Sequence, residues 1–193
     1  FCVGQNWRFG KGNSGNGALL AELGRARGVA TSVVPSVRYG SDVVSSTRIR
    51  QAVAAGELDL ARAMLGRPYS INGVVSHGRG VGGKVLKCPT ANIVDHGLLL
   101  PPFGIYAARG RVGQRLLDGV VYIGDAPTIR HDGNPEVIVE LHLFSFAADL
   151  YGKQIEVLFY RFLRPSMNFA DTESLSAQIQ RDIKAARLAL LDE

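Results

Sequence analysis

Cysteine, methionine and tryptophan are scarce in this chain, with two, two and one in 193 residues. Cys2 and Cys88 show no C-x-x-C spacing, which excludes a disulfide framework and a cysteine zinc cluster. A reducing, cytoplasmic compartment is therefore expected. No run of residues approaches the roughly 18 consecutive apolar positions of a membrane-crossing helix, so no membrane role is expected. Nor is there a Lys/Arg block of the kind that marks a nucleic-acid-binding tail. What charge there is leans positive, +5 from 22 basic and 17 acidic residues, and it is scattered. That balance suits a phosphate-bearing small ligand.

Two patterns divide the chain. Up to about Gly66 it reads as α/β, with a helix over Ala18–Arg27 and a β-branched strand over Val29–Val34. A further helix starts near Ser46 or Thr47, whose hydroxyls can cap free N–H groups, and another runs from Glu57 to Leu65 with Gly66 as terminator. From Arg67 onward strands dominate. Segments 70–77, 104–112, 117–123, 136–146 and 154–163 are rich in Val, Ile, Phe and Tyr, with Gly, Pro and Asp between them, and such a series suggests a closed barrel. Leu175, Ile179, Ile183, Ala186 and Leu190 then recur at helical spacing behind an Asp171 or Thr172 cap. The boundary falls at Gly66-Arg67-Pro68. The opening Phe1-Cys2-Val3-Gly4 reads as the end of a buried strand and the first methionine is Met64, so a fragment of a longer protein is expected.

Three groups of residues could carry chemistry. Gly78, Gly80, Gly82 and Gly83, followed by Lys84, leave backbone N–H groups free to approach an anion. Beyond them stands Pro89-Thr90-Ala91-Asn92, where the Thr90 hydroxyl is a hard ligand suited to Mg²⁺ and the Asn92 amide can fix geometry. The bland alternative is a glycine-rich hairpin and a Pro-Thr turn. Glu140 lies among apolar residues in Val137–Phe144, where burial would raise its pKa as a general base requires; a paired or rim glutamate is the alternative. Ser45, Ser46, Thr47 and Arg50 make either a phosphate site at a helix start or a plain cap with solvated arginines. His142 and His77 read as surface or satisfied groups, and Arg164 as a strand-end arginine that could sit near a mouth.

Taken in order, these pieces resemble the bacterial bifunctional riboflavin kinase/FMN adenylyltransferase (FAD synthetase) family. The carriers are Gly4–Gly12, Ser45-Ser46-Thr47-x-Ile49-Arg50, Leu65-Gly66-Arg67-Pro68-Tyr69, the glycine loop and Pro89-Thr90-Ala91-Asn92. Ile123-Gly124-x-x-Pro127-Thr128, Val139-Glu140-Leu141-His142, Asp149-Leu150-Tyr151-Gly152 and Leu163-Arg164 complete the series. Val81, Lys87, Cys88 and Ala126 depart from its pattern. The resemblance implies a six-stranded Greek-key barrel with a C-terminal helix over residues 67–193, forming a riboflavin kinase. Over residues 1–66 it implies the C-terminal, truncated part of a Rossmann-like FMN adenylyltransferase domain. ATP and riboflavin are the implied substrates, FMN the product and Mg²⁺ or another divalent ion the cofactor. Thr90 would bind the metal. Gly78, Gly80, Gly82, Gly83, Lys84 and Asn92 would lie along ATP, Glu140 would be the base and Arg164 would lie on the flavin side. Asn6, Ser45, Ser46, Thr47 and Arg50 would belong to the adenylyltransferase remnant. Two rival readings are a flavin-binding barrel that has lost catalysis and a basic barrel for nucleic acid; the latter needs exposed aromatic platforms, whereas Phe144, Phe146, Phe159 and Phe162 read as core.

Overall fold

The computed structural model describes residues 1–76, 89–94, 97–129 and 135–191. They form two compact units, Phe1–Ser46 and Thr47–Glu193.

In the first unit, strands β1 (Cys2–Gly4) and β4 (Ser32–Val34) pair in parallel, with Val3 opposite Val33. Two short hairpins flank them: β2 (Arg8–Phe9) with β3 (Gly15–Asn16), and β5 (Arg38–Tyr39) with β6 (Asp42–Val43). Helix α1 spans Gly17–Arg25, and Asn16 caps it by accepting from the Leu19 N–H at 3.0 Å. Val29 lies outside β4, so the strand is three residues long where branched side chains alone suggested six. Val33 and Val34 are exposed.

The second unit begins within helix α2 (Ser46–Ala54), one residue after its start, and continues into α3 (Leu58–Leu65). Gly66 ends α3 in the left-handed region at φ +72°, where a glycine is free of Cβ strain, and its N–H returns to the Arg62 carbonyl. Six strands follow: β7 (Tyr69–Ser76), β8 (Ala91–Val94), β9 (Gly104–Val112), β10 (Arg115–Ile129), β11 (Pro135–Leu143) and β12 (Gln154–Arg164). They close into a barrel in the order β10-β11-β8-β7-β12-β9. Strands β9, β10 and β11 run as a meander, and β12 returns beside β9, which is a Greek key. Strand β8 is the one that periodicity does not pick out: four residues behind Pro89-Thr90 look like the end of a turn. Only pairing with β7 and β11 makes them a strand.

Alternation sends Ile71, Val75, Ala91, Ile93, Tyr106, Val121, Ile123, Val139, Leu141, Ile155, Val157 and Phe159 into the barrel. Leu58 of α3 belongs to the same core and is 5% exposed. Leu58→Ala should therefore destabilise the barrel by about 2–4 kcal/mol, through lost burial and the cavity left behind. Urea unfolding of the full chain checks this; a loss under roughly 1 kcal/mol, well below the core range, would mean α3 only rests on the surface.

Helix α4 (Thr172–Leu191) packs on the outside of β9, β10 and β12. Asp171 caps it, with Oδ1 accepting from the Ser174 N–H at 2.7 Å. Ala186, Ala189 and Leu190 meet Ala107, Phe144, Leu158 and Tyr160 in a second apolar cluster. Arg109 of β9 adds polar ties: its Nε donates to Asp118 Oδ1 at 2.8 Å and its Nη2 to the Leu190 carbonyl at 3.0 Å. No helix among the described residues is long and apolar enough to cross a membrane.

Candidate active site

The barrel's outer face carries the candidate site. Since Val139 and Leu141 point inward, Glu140 points outward; Ala91 and Ile93 impose the same on Asn92. Asn92 and Glu140 are direct cross-strand partners on β8 and β11. Opposed residues in an antiparallel pair have Cα atoms about 4.5–5.5 Å apart, so these two side chains are neighbours. The row continues in both directions. Ser76 of β7 stands opposite Asn92, and Tyr122 of β10 opposite Glu140. Beyond Tyr122 come Ile105 of β9 and then Arg164 of β12. One register line thus joins three of the expected site residues, although more than seventy positions separate Asn92 from Arg164 in the chain.

Thr90 lies one residue before β8, half-buried and on the same face as Asn92 by alternation. Continuing the register brings it level with His142. The His142 ring is held there: Nδ1 donates to the Pro89 carbonyl at 2.9 Å, because a carbonyl can only accept. Its other side meets Phe144 edge-on, with centroids 5.8 Å apart. Tyr122 lies along its own strand. A Cβ on Gly124 would fall 2.0 Å from the Tyr122 hydroxyl, so the glycine provides the space for that ring beside Glu140.

Glu140 is half-buried, and burial pushes its carboxyl above the ordinary glutamate range. A base of raised basicity with a small neutral amide opposite is suited to accept a proton from a hydroxyl. Among the described residues no three His, Cys, Asp or Glu side chains gather to hold a metal. The donor set instead consists of one hard oxygen, the half-buried Thr90 hydroxyl. That set fits Mg²⁺, which dehydrates reluctantly and is usually held by one or two protein oxygens together with substrate phosphates.

Arg164 stands at the far end of the register line, beyond Ile105. Arg164 is engaged with helix α4: Nε and Nη2 donate to Asp182 Oδ1 and Oδ2 at 2.9 and 2.7 Å. Gly78, Gly80, Gly82, Gly83 and Lys84 lie outside the described residues, as do Val81, Lys87, Cys88 and His77. Asn6 is exposed in the turn after β1, and Ser45, Ser46, Thr47 and Arg50 are exposed at the start of α2. Phe144 and Phe159 are buried as expected, whereas Phe162 is 43% exposed.

Sequence reasoning gave no role to His142, Tyr122 or Asp182. His142 had a signal available, being two residues from Glu140 and so on its face of the strand. Asp182 had one too, since it interrupts the apolar stripe between Ile179 and Ala186. Tyr122 had none, because its position beside Glu140 depends on the β10–β11 register.

Comparison with known proteins identifies the family. The riboflavin kinase family model matches residues 65–190, and the FAD synthetase model matches residues 1–48. A bifunctional riboflavin kinase/FMN adenylyltransferase of Pseudomonas fluorescens is 36% identical over 185 residues, covering 96% of this chain and 58% of the relative. Its counterpart in Escherichia coli (strain K12) is 37% identical over 187 residues, with the same two coverages. The chain thus spans 58% of the length of these curated relatives. A Streptococcus pneumoniae crystal structure, described as a macrolide-efflux protein, superposes with a TM-score of 0.78 at 26% identity, over 96% of this chain and 60% of that one. With a family match across most of its length and a six-stranded barrel beneath it, this chain belongs to the riboflavin kinase family.

Proposed function

We propose that this chain transfers the γ-phosphoryl group of Mg-ATP to the 5′-hydroxyl of riboflavin, giving FMN and ADP. The observation that carries this is the Asn92–Glu140 pair, with Thr90 at the head of the same strand, inside a riboflavin kinase match. Glu140 as carboxylate takes the hydroxyl proton. The freed oxygen bonds to the γ-phosphorus as the bond to the bridging oxygen of ADP breaks. Asn92 orients the reacting groups beside Glu140, and the Thr90 hydroxyl is the metal ligand. Bound Mg²⁺ would neutralise phosphate charge. Gly78, Gly80, Gly82, Gly83 and Lys84 are assigned to the ATP phosphates, and Arg164 to the flavin side through the helix it anchors.

Residues 67–193 are assigned to the kinase and residues 1–66 to part of an FMN adenylyltransferase domain. The FAD synthetase match over 1–48 supports the second assignment. Ser45, Ser46, Thr47 and Arg50 would contact phosphates in an intact domain of that kind, and Asn6 would lie near its active site. A parent protein carrying that whole domain would go on to adenylylate FMN. The partners are small molecules, with no nucleic acid or membrane assigned, and the compartment is the cytoplasm.

Incubation with riboflavin, Mg²⁺ and ATP, followed by chromatography of the flavins, tests this reading. FMN is expected without FAD. Retention of riboflavin with no FMN would leave a flavin-binding barrel only, and substantial FAD would overturn the division between the two segments.

Acid should suppress the reaction in a particular way. Proton transfer needs Glu140 ionised, and burial raises its pKa. kcat/KM should therefore fall as pH is lowered through that raised value, at a higher pH than an ordinary glutamate would dictate. Stability carries the opposite sign. A carboxyl with a raised folded-state pKa stabilises the fold below its unfolded value, and that contribution is lost as pH rises through the folded value. A pH–rate profile checks the first statement; an acid limb that persists unchanged in Glu140→Gln would assign it to another group.

A further inference from the structure

We propose that His142 is a positioning residue for Thr90: its Nδ1–H, donated to the Pro89 carbonyl, latches the segment ahead of β8 to the strand that carries Glu140. This rests on the kinase reading above for what Thr90 does, but the latch itself is a matter of geometry.

Strand β8 begins at Ala91, so Pro89 and Thr90 stand beyond its paired residues. A proline has no N–H, which leaves the carbonyl as Pro89's only backbone group for holding this segment in place. That carbonyl accepts from His142 at 2.9 Å. His142 lies two residues from Glu140 on the same face of β11, so the hydrogen bond sets the spacing between the proposed metal ligand and the proposed base. The ring is itself supported. It packs edge-on against Phe144, which is 7% exposed within the cluster under α4, and the Arg187 guanidinium lies 4.5 Å from the Phe144 ring centroid. A donor backed by a packed aromatic places an acceptor far more narrowly than a free surface side chain would. The bond also selects the tautomer: in the neutral ring, Nδ1 carries the proton and Nε2 does not.

The test compares three variants of the full chain. In asparagine the amide nitrogen is two bonds from Cβ, as Nδ1 is in histidine, so His142→Asn can rebuild the donor. In His142→Gln the nitrogen is one bond farther out, and in His142→Ala it is gone. Amide hydrogen exchange over residues 90–92, calorimetric binding of Mg-ADP, riboflavin binding, and kcat and KM for Mg-ATP are measured for each. The alanine and glutamine variants should exchange faster at 90–92 and bind Mg-ADP about 3–10-fold more weakly, the scale of one hydrogen bond. Riboflavin affinity should hold, and the asparagine variant should recover most of both losses. The proposal is overturned if alanine leaves both exchange and Mg-ADP affinity unchanged, or if asparagine is as impaired as glutamine. Absence of FMN from the unmodified chain would instead sink the kinase reading, while the exchange measurement would still decide the latch.

Discussion

Glu140→Gln should lower kcat by about 10²–10⁴-fold while riboflavin binding stays close to that of the unmodified chain. Glutamine keeps the shape and polarity of the side chain, so the Asn92 and Tyr122 neighbours on either side need not move. What disappears is the ability to accept a proton, which matters only as the hydroxyl attacks. An interaction confined to the transition state appears in kcat rather than in ground-state affinity. Because burial raises the Glu140 pKa, the native carboxylate is a stronger base than an exposed glutamate, and correspondingly more is lost on its removal. Steady-state rates together with riboflavin titration measure the two effects separately. A variant with near-native kcat would mean that the substrate hydroxyl loses its proton elsewhere. A matching loss of kcat and flavin affinity would make Glu140 a binding group instead.

The largest effect on stability is expected at Asp182, far in sequence from the proposed chemistry. Its carboxylate is 8% exposed and accepts from Arg164 Nε, Arg164 Nη2 and Gln178 Nε2, all within 2.9 Å. Arg164 is itself only 16% exposed. Asp182→Ala leaves a largely covered guanidinium without its counter-charge, and removing one partner of a buried pair typically costs about 3–5 kcal/mol. At roughly 2–4 °C per kcal/mol for a chain of this size, thermal unfolding should shift by about 6–20 °C. Replacing both partners with apolar residues, as in Arg164→Met with Asp182→Leu, should recover much of the loss, because no unpaired charge remains. A single variant within about 1 kcal/mol of the native chain would mean that water reaches Arg164 once the carboxylate is gone. The pair joins β12 to α4, and Arg164 ends the register line that begins at Ser76 and Asn92. The ion pair therefore fixes α4 to the end of β12.

Much of this was legible in the chain. The β9 segment, 104–112, was read with the ends it has, because alternation and flanking Gly and Pro both mark it. Asp171 and Gly66 announce the start of α4 and the end of α3 by capping chemistry that acts within a few residues. Thr90, Asn92 and Glu140 stand out as residue types in context, and their order resembles a known family before any contact is seen. β8 was missed, since four residues behind a proline carry too little period to register. Asp182 shows locally only as a break in the apolar stripe of α4; that Arg164 of β12 is its partner leaves no local trace.

Local propensity and spacing, then, determined the succession of elements, the caps, the inward stripe of each long strand and the candidate base and ligand, since each depends on side chains within about a turn or a pleat of one another. Tertiary structure alone decided which residues meet. Strand pairing placed Asn92 opposite Glu140 and Tyr122 on its other side, and brought His142 within 2.9 Å of the Pro89 carbonyl. Packing buried Asp182 against Arg164. The reason is physical: period-2 alternation says which face a residue takes but nothing about its neighbour across the gap. That is set by barrel closure and register, where a shift of one residue would send every one of these side chains to the other face.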